Sequence, residues 1–285
     1  MKKLAAFTLL LITIVSCNQK KEQPSEQQAT NAQKERIISL NGAITEILAD
    51  LGEQENIIGV DVTSTYPENI KETTKDLGHT SKISIESIMS LKPTIIYAND
   101  KDIKDDFKSQ LKNSGIRLEL IKQEYSVDGT KEMIKAVAQT LNNTNYEALI
   151  TKIDQDLAGI TKFEKTPKVL FIYARGASTL LVAGDDTPVN NVIALAGGQN
   201  AITEFKDFKP LTPESLLNSN PDYILMFTSG LQSMGGIDGV LQIEGINQTN
   251  AGKNKKVIAM DGQLLGGFGP RVGQAAKELN KLLSE

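Results

Sequence analysis

Apolar and polar positions follow two alternating rhythms. Short aliphatic and β-branched runs recur as RIISL from Arg36, IIGVD from Ile57, TIIYA from Thr94, RLELI from Arg117, KVLFIYARG from Lys168, DYILMF from Asp222 and KKVIAM from Lys255. Their length and residue types predict β-strands. Between them lie helical spacings. NGAITEILADLG predicts a helix stopped by Gly52, and DIKDDFKSQLKNSG carries Ile103, Phe107 and Leu111 on one face and ends at Gly115. Strands alternating with helices predict an α/β fold with mostly parallel sheets.

At mid-chain two helical segments follow one another without a strand. The first spans about 129–141. The second begins near Thr144 and places Tyr146, Leu149, Ile150, Ile153, Leu157, Ile160 and Phe163 on one face, five turns or ~27 Å. A core helix of one domain has this pattern, but its place between two β/α blocks favours a strut joining two lobes. The second block opens with KVLFIYARG, followed by a hairpin-like STLLVAGDD and a helix from Pro188 to Ala196. SGLQSMGGIDGV then reads as a glycine-rich loop opening a short helix, and an amphipathic helix from Pro270 to Leu283 has Pro270 at its first position.

One stretch is used twice. LGHTSKISIESIMSLKPTIIYA, Leu77–Ala98, is echoed by LTPESLLNSNPDYILMF, Leu211–Phe227, and an offset of 128 puts Glu86 on Glu214, Ser87 on Ser215, Pro93 on Pro221 and Ile96 on Ile224. Each copy enters a helix through Ser or Thr, has Glu in the first turn and closes with Pro before an apolar strand. Two similar lobes follow from this.

Composition narrows the function classes. The chain has 285 residues, 40% hydrophobic and 23% charged, enough for one large domain or two ordinary ones. A net charge of −4 argues against a nucleic-acid footprint. Lys2 and Lys3 precede an apolar run, Leu4–Val15, too short to span a bilayer, which ends in Ser16-Cys17. This resembles a bacterial lipoprotein signal in which Cys17, the only cysteine, becomes the lipidated N-terminus. The polar segment after it reads as a tether. An extracytoplasmic, membrane-anchored chain without a disulfide or a cysteine nucleophile is expected.

Catalytic constellations are not evident. There is one histidine, no G-x-S-x-G elbow and no P-loop, so a non-enzyme is expected. His79 follows Gly78 at the end of a polar loop; a lone histidine is more often structural than a ligand. Tyr173 and Arg175 share one side of a strand by alternation, and a cation beside a phenol favours the phenolate that binds ferric iron. Tyr-x-Arg is also a common strand pairing. Glu86 and Glu214 lie in helical first turns, where a carboxylate favours the dipole. That role explains either acid alone but not the repeated placement.

From Arg36 onward, RIISLNGAITEIL, GVDVTSTYPE, the Leu77–Ala98 stretch, LLVAGDDTPVNNVIALAGGQNA, FKPLTPESLL, GGIDGV and MDGQLLGGFGPR resemble the cluster A substrate-binding proteins of ABC importers. Within that class they are most similar to haem-binding lipoproteins of the HmuT type. The resemblance implies two Rossmann-like α/β lobes, chelatase-like, joined by one long helix with the ligand in the cleft. With residues 1–17 read as signal and 18–35 as tether, it gives 36–142 as the N-terminal lobe, 143–164 as the connecting helix and 165–285 as the C-terminal lobe. Many members have Tyr where this chain has His79; a branch pairs His with Tyr-x-Arg. The implied axial ligands of ferric haem are therefore His79 and Tyr173, with Arg175 hydrogen-bonding the phenolate. Tyr66 is an alternative ligand or stacking wall, and Lys82 and Arg271 are candidate propionate partners. Met234, Leu264, Leu265 and Phe268 either line the haem pocket or pack in the core. Glu86 and Glu214 would dock on the permease of a permease–ATPase complex, the carrier acting as a monomer. The same scaffold carries ferric siderophores and cobalamin. The absence of Trp and the 5% aromatic content weaken the cobalamin case. A surface lipoprotein using the fold for protein contacts is the remaining alternative.

Overall fold

A computed structural model of the protein describes residues 34–285. The expected signal, Cys17 and most of the tether lie outside the described residues. The first sheet contains β1 (Ile37–Ser39), β2 (Ile57–Val60), β3 (Lys75–Asp76), β4 (Ile95–Asn99) and β5 (Arg117–Ile121), in the spatial order β3-β2-β1-β4-β5. Its pairings are all parallel, with Ile38 beside Gly59 and Ile96. The second contains β6 (Lys168–Ala174), β7 (Leu180–Ala183), β8 (Gln199–Asn200), β9 (Phe208–Pro210), β10 (Tyr223–Phe227) and β11 (Val257–Met260). Its order is β11-β10-β6-β7-β9, and β8 also pairs with β6. β6, β8, β10 and β11 are parallel; β7 returns antiparallel, placing Tyr173 opposite Leu181. The molecule is the expected two-lobed α/β structure.

Strand alternation sorts the core into three apolar clusters. Ile38, Ile96 and Ala98 point into one cluster with Ile88 and Leu111. Leu170, Ile172, Ile224 and Met226 point into another with Leu216 and Val240. The opposite faces, through Ile37, Ile95 and Tyr97 in the first lobe and Val169, Phe171 and Leu225 in the second, share one continuous cluster. The helices Gly42–Asp50, Val127–Thr140 and Val272–Ser284 supply its other wall. A shared core of this kind holds two lobes far more firmly than a polar inter-domain contact.

Three elements differ from expectation. The mid-chain helix runs only Glu147–Ala158, twelve residues or ~18 Å. Asn143 holds the turn before it, its amide donating to the Leu51 carbonyl at 3.1 Å and its oxygen accepting from the Asn145 N–H. After Gly159, buried Asn280 accepts from the Thr161 N–H and donates to the Thr161 carbonyl, which takes the chain out of the helix despite its continuing apolar pattern. The C-terminal helix begins at Val272, because Gly269–Arg271 forms a turn closed by the Val272 N–H on the Gly269 carbonyl. Pro270 is therefore outside the helix. The glycine-rich SGLQSMGG is itself partly helical, Thr228–Ser233, with the Ser233 hydroxyl returning to the Gly230 carbonyl and accepting from the Gly176 N–H.

Candidate ligand-binding cleft

In parallel sheets the loops at the carboxyl ends of the strands converge, and ligands bind there. Here the loops after β1, β2, β4 and β5 contribute Asn41, Asp61–Thr63, Asp102, Gln123 and Tyr125. The short helix after β11, Gly262–Gly266, with Gly267 at its end, contributes Gly262, Gln263, Gly266 and Gly267 from the other lobe. With His79–Ser81 they enclose a cavity of about 380 Å³ between the lobes, within the usual size for small-molecule sites.

Its floor is a hydrogen-bonded polar net. Asn41 caps the helix Gly42–Asp50, accepting from the Ala43 and Ile44 N–H groups, while its amide donates to Asp102 and Gln123, each at 3.2 Å. Asp61, 1% exposed, accepts from the Thr63 N–H and from the hydroxyls of Thr63 and Ser64. The segment Gly262–Arg271 crosses from the second lobe to the first. The Gln263 amide lies so close to Gly42 and Gly267 that a Cβ on either would come within 2.6 Å or less of it; the glycines leave it room. The amide best donates to the Thr63 carbonyl and accepts from the Ala43 N–H. Gln123 donates to the Gly267 carbonyl at 2.8 Å and Thr130 to the Phe268 carbonyl at 3.0 Å.

His79 is exposed in the cavity wall. Its Nδ1 meets the Ser81 hydroxyl at 3.0 Å and accepts from the Ser81 N–H at 3.4 Å, while Nε2 has no hydrogen bond among the described residues. Lys82 ends the same turn, exposed and without an ion pair among the described residues. Tyr173 does not line this cavity. It stands at the end of β6 on the inter-lobe face, its ring edge-on to Phe208 and to Phe227, the latter at 6.1 Å, and Phe227 lies against Gly262 and Gly266 of the lining. Arg175 stacks over the Tyr173 ring at 5.5 Å rather than hydrogen-bonding its hydroxyl.

Other expected residues have different positions. Arg271, expected near propionates, makes a bidentate pair with Glu46 at 2.9 and 2.6 Å. Glu46 is 2% exposed and Arg271 15%. Burial pushes the Glu46 carboxyl up, against the pull of the guanidinium. Tyr66 lies under that guanidinium at 3.8 Å and is absent from the lining. Leu264, Leu265 and Phe268 are core residues, because the intervening Gly and Gln face the cleft. Met234 lines a separate cavity of about 360 Å³ within the second lobe. Glu86 and Glu214 are exposed in the first turns of Ile85–Ser90 and Pro213–Ser219. Hydrogen bonds from its own backbone N–H and from Ser84 hold the Glu86 carboxyl below the usual range. Sequence reasoning missed Asn41, Gln123, Tyr125 and Gln263; their position just after strands was the available signal.

Residues 37–264 match the periplasmic binding protein family, and the chain belongs to it, a solute-binding protein of ABC transporters. It is 26% identical over 267 residues to the ABC transporter substrate-binding lipoprotein YvrC of Bacillus subtilis, covering 90% of this chain and 83% of that one. It is 25% identical to the vitamin B12-binding protein of Photorhabdus laumondii, with 88% of each chain covered. Among solved structures, the periplasmic heme-binding protein RhuT from Roseiflexus sp. RS-1 superposes with a TM-score of 0.83 at 37% identity, over 87% of this chain and 97% of that one. The heme-binding protein HmuT superposes with a TM-score of 0.79 at 26% identity, over 88% and 84%. Solved forms of HmuT carry alanine in place of a Tyr, of a His and of an Arg two positions after that Tyr.

Proposed function

We propose that this chain is the haem carrier of an ABC importer. It takes hemin into the cleft, ligates the ferric iron through His79 and Tyr173, and delivers the haem to a permease. The observation that carries the reading is His79. The only histidine stands exposed in the cleft wall with Nδ1 held by Ser81 and Nε2 unbonded among the described residues. A turn that fixes one nitrogen and frees the other orients an imidazole for a metal. Histidine and an anionic phenolate are both established haem ligands. The Tyr173-x-Arg175 spacing matches that of the substituted Tyr and Arg in HmuT. Arg175 is exposed and, among the described residues, makes no ion pair, so it can swing off the Tyr173 ring as hemin seats. Lys82, beside His79, suits a propionate.

Around this site, residues 36–142 and 165–285 act as the two lobes and 143–164 as their connection. Residues 1–17 direct export, Cys17 carries the lipid, and 18–35 tether a monomer outside the cytoplasm. Glu86 and Glu214, one acid on each lobe, dock on the permease of the permease–ATPase complex.

Cobalamin is the second reading, supported by the vitamin B12-binding relative. Parallel titrations with hemin and cyanocobalamin separate the two. The haem reading predicts a Soret shift on adding hemin and no measurable cobalamin binding. Tight cobalamin binding with an unchanged hemin spectrum would overturn it.

A further inference from the structure

Among the described residues, six large hydrophobic side chains are prominently exposed, and two of them, Val62 at 41% and Tyr125 at 40%, line the cleft. They lie in the loops leaving β2 and β5. β1 and β4 separate those strands, so the two loops stand about three strand spacings apart, roughly 14 Å. That is a slot for a broad flat ligand.

Tyr125 is held in place from behind. Its ring is edge-on to Phe268 at 5.9 Å and 67°. Phe268 is buried and has φ of 47°, a left-handed conformation uncommon for a bulky residue. Such conformations persist where the surroundings over-determine them, and they cluster at ligand clamps. Here the Thr130 hydroxyl holds the Phe268 carbonyl. The second lobe fixes the Tyr125 backbone, Asn191 donating to its carbonyl at 2.7 Å. The Tyr125 hydroxyl has no partner among the described residues. Partial desolvation of the ring against Phe268, and then Asp102 nearby, push its pKa up, so it is a neutral donor.

We infer that Tyr125 is a porphyrin-contact residue of the cleft, its ring packing on the tetrapyrrole with Val62 on the far side of the slot. This role is separate from iron ligation and rests on the haem reading.

Iron-free protoporphyrin IX is the probe, since it offers the ring without iron for His79 or Tyr173. Tyr125→Ala should weaken both protoporphyrin and hemin about tenfold, equivalent to about 1.4 kcal/mol, without changing the hemin–protein visible spectrum. Tyr125→Phe, which keeps the edge contact with Phe268, should retain most of the affinity. Asn191→Ala, which frees the loop but leaves the ring intact, should produce a smaller loss in the same direction. His79→Ala should weaken hemin alone. Hemin and protoporphyrin affinities within twofold of wild type in a folded Tyr125→Ala variant would overturn the inference and leave the haem reading standing. Failure of the wild type to bind hemin would overturn both.

Discussion

Removing Arg271 strands Glu46. The pair is bidentate, and the Glu46 side chain is 2% exposed, so Arg271→Ala leaves a carboxylate in the inter-lobe interior without its counter-charge. Breaking a buried pair in this way costs about 3–5 kcal/mol. For a chain of this size that lowers the melting temperature by roughly 10 °C. The pH dependence gives the sharper test. Burial already raises the Glu46 carboxyl, and Asp50, itself raised by burial, faces the same guanidinium. Without Arg271, Glu46 rises further. A carboxyl whose folded pKa lies above its unfolded value binds a proton on folding. The penalty is therefore full above the folded pKa and relieved as pH falls through it towards the unfolded value. Thermal melts from neutral to mildly acidic pH should show the variant recovering relative to wild type. Glu46→Gln combined with Arg271→Met should restore most of the loss and abolish the recovery. An unchanged melting temperature in Arg271→Ala, or a deficit that does not shrink on acidification, would mean that Arg271 does not compensate a buried Glu46 charge.

Three further outcomes follow. Asn280→Ala leaves the Thr161 N–H and carbonyl and the Ala196 carbonyl without their bonds and should destabilise by about 3 kcal/mol in urea unfolding; a loss below about 1 kcal/mol would mean that the chain after Gly159 is held otherwise. At Gly184 a Cβ would come within 2.1 Å of the Phe205 carbonyl oxygen, so Gly184→Ala forces backbone movement and should cost about 2–3 kcal/mol, measured the same way. Charge reversal at Glu86 and Glu214 should abolish haem-dependent growth with hemin affinity unchanged; lost hemin binding would instead assign these acids a structural role.

Much of the scaffold is legible along the chain because strand alternation and buried apolar runs are local signals. IIGV, IIYAN, RLELI and YILMF form strands where their patterns put them. The two-residue strand Lys75–Asp76 is wholly exposed and leaves no apolar trace. The mid-chain helix is shorter than its apolar spacing implies because Asn280, 119 residues away from Thr161, redirects the backbone. The site was legible in part. His79 stood out as the lone histidine, but the partner of Arg271 is 225 residues distant, and no local pattern pairs a helix-borne Glu with an arginine after a glycine run. Leu264, Leu265 and Phe268 attracted attention for their hydrophobicity, whereas Gln263 and the glycines beside them form the lining. Tyr125, a tyrosine in a polar loop, carries no local signal; the hold of the second lobe on its backbone is what distinguishes it.

Ligation of hemin iron by His79 and Tyr173 from opposite lobes, as proposed above, is open to direct spectroscopy. The most direct test compares the visible and electron paramagnetic resonance spectra of hemin-loaded wild type, His79→Ala and Tyr173→Phe. The wild type should show a phenolate-to-iron charge-transfer band that disappears in Tyr173→Phe, and His79→Ala should change the axial signal with the band retained. Spectra that are identical in all three proteins would contradict it.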